Sequence, residues 1–202
     1  MTRRIANLGL KYEKSDRVEQ SIDKAVYWFT KSAEQNYIRA QLKLGAMYVQ
    51  GNKIAEDPKK AEYWIRKAAE QGDSTAQYMY GILCEEGTGM AKDTTKAKQW
   101  YQKAAANGNE DAKAAVSRLQ LVGKWKYEEY SAWNNFEFFD DGTYNYISSS
   151  GKRIDRNQYR ISGNTISYKD IPNTNTFVIS DNGNTLKIIF PSGDSGQYKR
   201  VN

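Results

Sequence analysis

A period of 36 residues runs through the first half of the chain and leaves few folds open to it. Gly9, Gly45 and Gly81 keep this spacing, as do Ala25, Ala61 and Ala97, Trp28, Trp64 and Trp100, and Lys31, Lys67 and Lys103. Lys24, Lys60 and Lys96 stay in phase, with Ala33, Ala69 and Ala105. Asn36, Gly72 and Gly108 close each unit, and Ala40, Ala76 and Ala112 open the next. A period of about 20–50 residues marks a stacked array, in which each unit buries against its neighbours a face that it cannot bury alone.

Each unit reads as two helices. In the middle unit the spacing predicts a first helix over Ile38 to Gln50, with Ala40, Leu44, Gly45 and Tyr48 on one face. Gly51 stops it, and Asp57-Pro58 supplies an N-cap followed by proline at the first helical position. The second helix is expected from Lys59 to about Gln71, with Ala61, Trp64, Ala68 and Ala69 as its buried stripe. Gly72 is placed to end it in the left-handed conformation. Gly45 and Ala61 let the two backbones approach closely, and Trp64 is expected to fill the wedge between successive pairs.

The stretches Ala40-Gln-Leu-Lys-Leu-Gly-Ala-Met-Tyr48 and Lys60-Ala-Glu-Tyr-Trp-Ile-Arg-Lys-Ala-Ala-Glu-Gln-Gly72 carry the pattern. They recur as Ala76-Gln-Tyr-Met-Tyr-Gly81 and Lys96-Ala-Lys-Gln-Trp-Tyr-Gln-Lys-Ala-Ala105. This pattern resembles the Sel-one-like repeat family, a relative of the tetratricopeptide repeats, over about residues 3–120. The first unit departs from it: Arg4 stands where Ala40 stands, and Ser15 replaces the loop glycine Gly51. Residues 109–121 are expected to form an unpaired helix that caps the array, with Lys113 and Ser117 outward. The resemblance implies an adaptor for other proteins and brings no catalytic residue with it.

By analogy with related helix-pair repeats, the faces of the first helices left over after packing line a concave groove. These are Arg39, Leu42, Ala46 and Val49 in the second unit, and Thr75, Tyr78, Ile82 and Glu85 in the third. An apolar centre with Arg39 and Glu85 at its rim suits a protein partner. Leu42 and Ile82 serve equally well as packing within or between repeats.

The period changes near Leu121. Short runs rich in Tyr, Phe, Ile and Thr follow, with strands expected at 122–130, 134–140, 143–149, 157–162, 164–169, 174–180, 185–190 and 196–201. Turn signals separate them at Asp141-Gly142, Ser150-Gly151, Gly163-Asn164, Asn182-Gly183 and Ser192-Gly193. Such tight connections demand antiparallel neighbours, hence an up-and-down barrel or bent meander. The fold class is therefore α+β in two domains: an α-solenoid of antiparallel helix pairs over 1–120 and a small antiparallel β-domain over 121–202. Leu121-Val-Gly-Lys-Trp125, Phe136 to Tyr144, Tyr159 to Gly163 and Tyr198 to Val201 resemble the lipocalin-like bacterial domains, with Gly123 and Trp125 as their Gly-X-Trp. The resemblance implies a barrel that holds a small apolar ligand. The residues themselves point rather to an interior filled by Trp125, Phe136, Phe138, Tyr144 and Ile188.

Chemistry is constrained by what the composition lacks. The chain has no histidine, which removes Ser-His-Asp and Cys-His catalysis and His-ligated zinc or haem. Cys84 is the single cysteine, so no intrachain disulfide or four-Cys metal site forms. No metal or cofactor is expected. Gly193-Asp-Ser-Gly196 copies a serine-nucleophile tetrapeptide but has no base, and reads as a turn. The acid pairs Glu85-Glu86, Glu128-Glu129 and Asp140-Asp141 diverge on a helix or strand and read as solvent or turn residues. Gly87-Thr-Gly89 is too short for a phosphate loop. Trp133 and Tyr146 suit either stacking on a ligand or packing in the barrel wall. Net charge is +6, but acids and bases are interspersed, and no contiguous basic patch points to nucleic acid.

No apolar run approaches the roughly 20 residues needed to cross a bilayer. The chain as it stands suits the cytoplasm. Because Met1 falls inside a repeat, a trimmed leader or further repeats ahead of it would instead suit the envelope or secretion. The expected function is a non-enzymatic protein-interaction scaffold with its partner in the groove. The alternative is small apolar ligand or lipid binding in the barrel.

Overall fold

The computed structural model describes residues 1–127, 135–147, 153–162, 165–168, 171–179, 184–193 and 195–201. Contacts divide the chain into two compact units, Met1–Ala112 and Lys113–Asn202. Among the described residues the helices are α1 (Thr2–Lys14), α2 (Ile22–Ala33), α3 (Ile38–Gln50), α4 (Pro58–Glu70), α5 (Ser74–Glu86), α6 (Thr94–Ala106) and α7 (Glu110–Leu121).

The repeat phase is written into the helix ends. Ser15, Gly51 and Gly87 end α1, α3 and α5 in the left-handed conformation, at φ 60, 62 and 83°. Ser15 therefore takes the same turn as the glycines it replaces. Ser21, Asp57 and Asp93 cap α2, α4 and α6 by accepting from the backbone N–H of Lys24, Lys60 and Lys96 at 3.3, 3.0 and 2.8 Å. Each cap satisfies a donor that the helix leaves without an internal partner.

Within each pair, a glycine of the first helix receives a large side chain of the second. A Cβ on Gly9 would stand 2.7 Å from the Phe29 ring, on Gly45 2.4 Å from Ile65, and on Gly81 2.5 Å from the Tyr101 ring. Phe29, Ile65 and Tyr101 keep the repeat phase, although their chemical types differ. This seat corrects the expected stripe of α4. Ile65 is wholly buried with Ala61, Ala68 and Ala69, whereas Trp64 is half-buried at the edge. The Trp64 ring stands edge-on to Tyr63 at 4.9 Å and packs against the cluster of Phe29, Ala40, Leu44 and Met47. The residue opposite the glycine goes deepest because the backbones are closest there.

The second unit is a closed antiparallel barrel in which each strand pairs with the next and the first with the last. Its strands are β1 (Gly123–Tyr127), β2 (Asn135–Phe138), β3 (Thr143–Ile147), β4 (Arg153–Ser162), β5 (Thr165–Tyr168), β6 (Ile171–Ile179), β7 (Thr185–Ile189) and β8 (Ser195–Val201). Closure sets Trp125 opposite Arg200. β4 and β6 start earlier than the alternation indicated, and the ladders bordering β5 and β3 shift register at Ile166/Tyr168 and Tyr144/Tyr146. Such shifts break the period of two that a sequence reading relies on. Gly142 and Gly193 make their turns with φ 78 and 90°, while the turn signals at 150–151, 163–164 and 182–183 lie outside the described residues.

The interior is aromatic. Trp125, Phe138, Tyr144, Tyr159, Tyr168, Phe177 and Tyr198 are buried with Ile166, Leu186 and Ile188. Phe136, expected inside, is half-buried and stacks on Phe138 at 5.6 Å. Tyr146 packs against the same cluster, 5.1 Å from Phe136, so its ring belongs to the barrel; Trp133 lies outside the described residues. The end of α7 joins this core: Leu121 is fully buried and its carbonyl accepts from Trp125 Nε1 at 2.7 Å. Lys113–Leu121 thus belongs by contact to the second unit. The Arg200 guanidinium lies 4.4 Å from the Trp125 ring centre and donates to the Val122 carbonyl at 2.8 Å and to that of Gln120. Gly123, at φ 134°, leaves the room; a Cβ there would stand 2.7 Å from Arg200 Nη1.

Gly45→Ala should destabilise the repeat unit by about 1–3 kcal/mol through overpacking on Ile65. Urea unfolding followed by helical circular dichroism checks this, with Gly45→Ala/Ile65→Ala expected to cost less than the sum of its two single changes.

Candidate protein-interaction face

The residues expected to meet a partner fall at intervals of three and four along α3 and α5, so each set lines one helical face. On α3, Arg39 and Val49 are exposed and Leu42 and Ala46 half-buried. On α5, Thr75 is exposed and Tyr78, Ile82 and Glu85 half-buried. Two of the eight also serve the third pair. The Tyr78 ring tilts against Tyr101 at 5.6 Å, and Glu85 Oε2 accepts from the Tyr101 hydroxyl at 2.7 Å. The reason is geometric: Tyr78 and Glu85 flank Gly81, and the ring that seats on the glycine reaches both. Arg39, Thr75 and Val49 remain as the exposed members of the face.

A buried glutamine fixes where α3 and α5 start. Gln41 Nε2 donates to the Ala33 carbonyl at 3.0 Å, and Gln41 Oε1 accepts from Gln71 at 2.6 Å. One repeat later, Gln77 donates to the Ala69 carbonyl at 3.4 Å and accepts from Asn107 at 3.0 Å. Each amide therefore ties a first helix to the second helix of the unit before and to the end of its own partner. The in-phase glutamines were the available signal, but a polar residue beside an apolar stripe reads as exposed unless its partners are known.

Glu13 was not legible at all. It occupies the phase of Val49 and Glu85 but is only 3% exposed. Its Oε1 pairs with Lys43 at 2.8 Å and Lys53 at 2.7 Å, both from the second unit of the array. Burial pushes its carboxyl up, but the hydrogen bonds and charges of the two lysines outweigh this and hold it below the usual carboxylate value.

Elsewhere the side chains have structural uses. Cys84 is buried, which pushes its thiol up, and its sulfur lies 3.7 Å from that of Met90. Asp141 Oδ1 accepts from the backbone N–H and hydroxyl of Thr143, as a turn residue does. Ser195 pairs with Ile189 in the barrel ladder, and Glu128-Glu129 lie outside the described residues. Among the described residues no group of three His, Cys, Asp or Glu could hold a metal ion, and no helix is long and apolar enough to cross a membrane.

Gln41→Leu should cost about 1–2 kcal/mol, because the Ala33 carbonyl keeps only the Asn36 N–H as donor and the Gln71 amide loses Gln41 as acceptor; chemical denaturation measures it. The depressed Glu13 carboxyl gives stability that is full above its ordinary value of 4.5 and fades as pH falls through the lowered folded value. Wild type should therefore lose more stability than Glu13→Gln on acidification from about pH 5 to 3, as read from paired denaturation curves.

Comparison with known proteins gives the array its place. The family model described as Sel1 repeat matches residues 5–37, 38–73 and 74–109. A Sel1 repeat protein from Oxalobacter formigenes is 41% identical, with TM-score 0.54, over 57% of this chain and 86% of its own. A protective antigen of uropathogenic Escherichia coli with an SLR fold is 35% identical, with TM-score 0.55, over 59% of this chain. The chain spans 26% of that antigen's length. None of the curated proteins matches the chain. Three consecutive matches cover just over half of the 202 residues with the same period that the glycine seats and glutamine ties display, and the chain belongs to the Sel1 repeat family.

Proposed function

We propose that this chain is a non-enzymatic scaffold that seats a protein partner on the first-helix face: Arg39, Leu42, Ala46 and Val49 of α3, and Thr75, Tyr78, Ile82 and Glu85 of α5. Sel1-repeat proteins are in general protein-interaction scaffolds. The observation that carries the reading is the incomplete burial of apolar side chains on two successive first helices. Val49 is 40% exposed and Leu42, Tyr78 and Ile82 are only half-buried, whereas Ala40, Leu44 and Met47 of α3 and Ala76, Tyr80, Leu83 and Cys84 of α5 are buried. Arg39 and Thr75 flank this strip from the N-terminal ends of α3 and α5. A strip of this kind, apolar in the middle with a polar margin, is how most protein interfaces are built. Residues 1–120 form the binding module by repeat phase, and residues 121–202 a second module. The closed eight-strand barrel and the Gly123-Lys-Trp125 opening of β1 support reading that module as lipocalin-like.

Capture experiments with the intact chain test the face. Arg39→Glu/Thr75→Arg changes two exposed residues that the packing does not use. It should lose at least about tenfold of whatever protein the wild type retains, since reversing the charge at Arg39 and adding a bulky cation at Thr75 opposes a partner matched to the native rim. Equal capture by wild type and variant would remove the face from consideration.

A further inference from the structure

The junction between the first and second repeats holds a cavity of about 270 Å³ that the first-helix face does not include. Its floor is Val26 of α2, Tyr48 of α3 and Ile54 of the following loop, all packed against the repeat core and all partly uncovered. Asp23, Glu56 and Asp57 stand on its wall, with Lys60 as the one basic residue. Three carboxylates against one ammonium is an unusual local balance on a chain of net charge +6.

The carboxylates differ in duty. Asp57 caps α4 and pairs with Lys60 at 3.1 Å. Asp23 and Glu56 have no cationic partner among the described residues. The Lys60 ammonium lies 5.3 Å from the centre of the Tyr48 ring, so the floor already accepts a cation on its aromatic face. The next repeat is a built-in contrast. In phase with Asp23, Val26, Tyr48, Ile54 and Glu56 stand Lys59, Glu62, Cys84, Met90 and Lys92. There Met90 reaches Cys84, Glu62 is held by Arg66 at 2.9 Å and by the Tyr80 hydroxyl at 3.1 Å, and both free acids have become lysines. The acidic cavity therefore belongs to one junction of this chain and is not a consequence of repeat geometry.

We propose that this cavity receives a single arginine or lysine side chain of a bound protein segment. Its size is below the range of drug-sized ligand pockets and suits one long side chain. The apolar floor covers the aliphatic stem, Lys60 keeps its place over the Tyr48 ring paired with Asp57, and Asp23 and Glu56 supply the charge that meets the incoming cation. The site stands independently of the first-helix face and survives if that face binds nothing.

The test is a ¹⁵N-detected titration of the full chain at low salt with N-acetyl-arginine amide, N-acetyl-lysine amide and, as apolar control, N-acetyl-norleucine amide. Saturable shifts at the Val26, Tyr48 and Ile54 amides with a cationic probe, and none with norleucine, are expected. Asp23→Lys/Glu56→Lys, which copies the charges of the next repeat, should weaken binding at least about tenfold, the factor that about 1.4 kcal/mol represents. Asp23→Asn/Glu56→Gln should fall between the two, and Arg39→Glu/Thr75→Arg should bind as wild type. Unchanged amide shifts elsewhere report that each variant is folded. The proposal is overturned if neither cation saturates, if norleucine shifts the same amides equally, or if the double-lysine variant binds as wild type.

Discussion

The glycine seat in each helix pair is the contact on which the array rests. Where Gly9, Gly45 and Gly81 face Phe29, Ile65 and Tyr101, there is no space for even one methyl group. That closeness brings each first helix deep against its partner and settles which residues of the second helix are buried. It also decides what is left over. Tyr101 seats on Gly81 and, in doing so, reaches Tyr78 and Glu85, whereas Ile65 on Gly45 is too short and apolar to bond a residue in the place of Glu85. The same seat thus makes the exposed face of α3 and that of α5 different in character.

The two units solve the packing problem in different ways. The array repeats one short-range solution and joins its copies with buried amides, Gln41 and Gln77, and with the Glu13–Lys43–Lys53 cluster. The barrel depends on contacts between residues far apart in the chain. Arg200 in the last strand covers Trp125 in the first and binds the carbonyls of Gln120 and Val122. Gly123 makes room for it, so one arginine joins the closing strand pair to the end of α7.

Both proposed binding places lie on the surface of the array. The absence of histidine removes histidine-based chemistry, while the apolar side chains at Val49, Leu42 and Ile82 and the acids at Asp23 and Glu56 are the features on which the two proposals rest. The two places differ in what they ask of a partner. The first-helix strip offers area with modest charge, and the junction cavity offers depth and a sign.

Local patterns were legible without coordinates. The span of α3, the stops at Gly51 and Gly72 and the cap at Asp57 follow from residue type alone, because backbone preference and capping act over three or four residues. The barrel's strand count and antiparallel order were equally accessible from its turns. The starts of β4 and β6 were not, because register shifts interrupt the alternation. Of the proposed face, the sequence determined which residues share a stripe on α3 and on α5. Only the tertiary structure decided that Tyr78 and Glu85 are shared with Tyr101, that Glu13 is buried beneath two lysines, and that Asp23 and Glu56 border one cavity. Periodicity specifies which side of a helix faces inward, but burial and charge pairing depend on atoms brought together from segments that no local pattern connects.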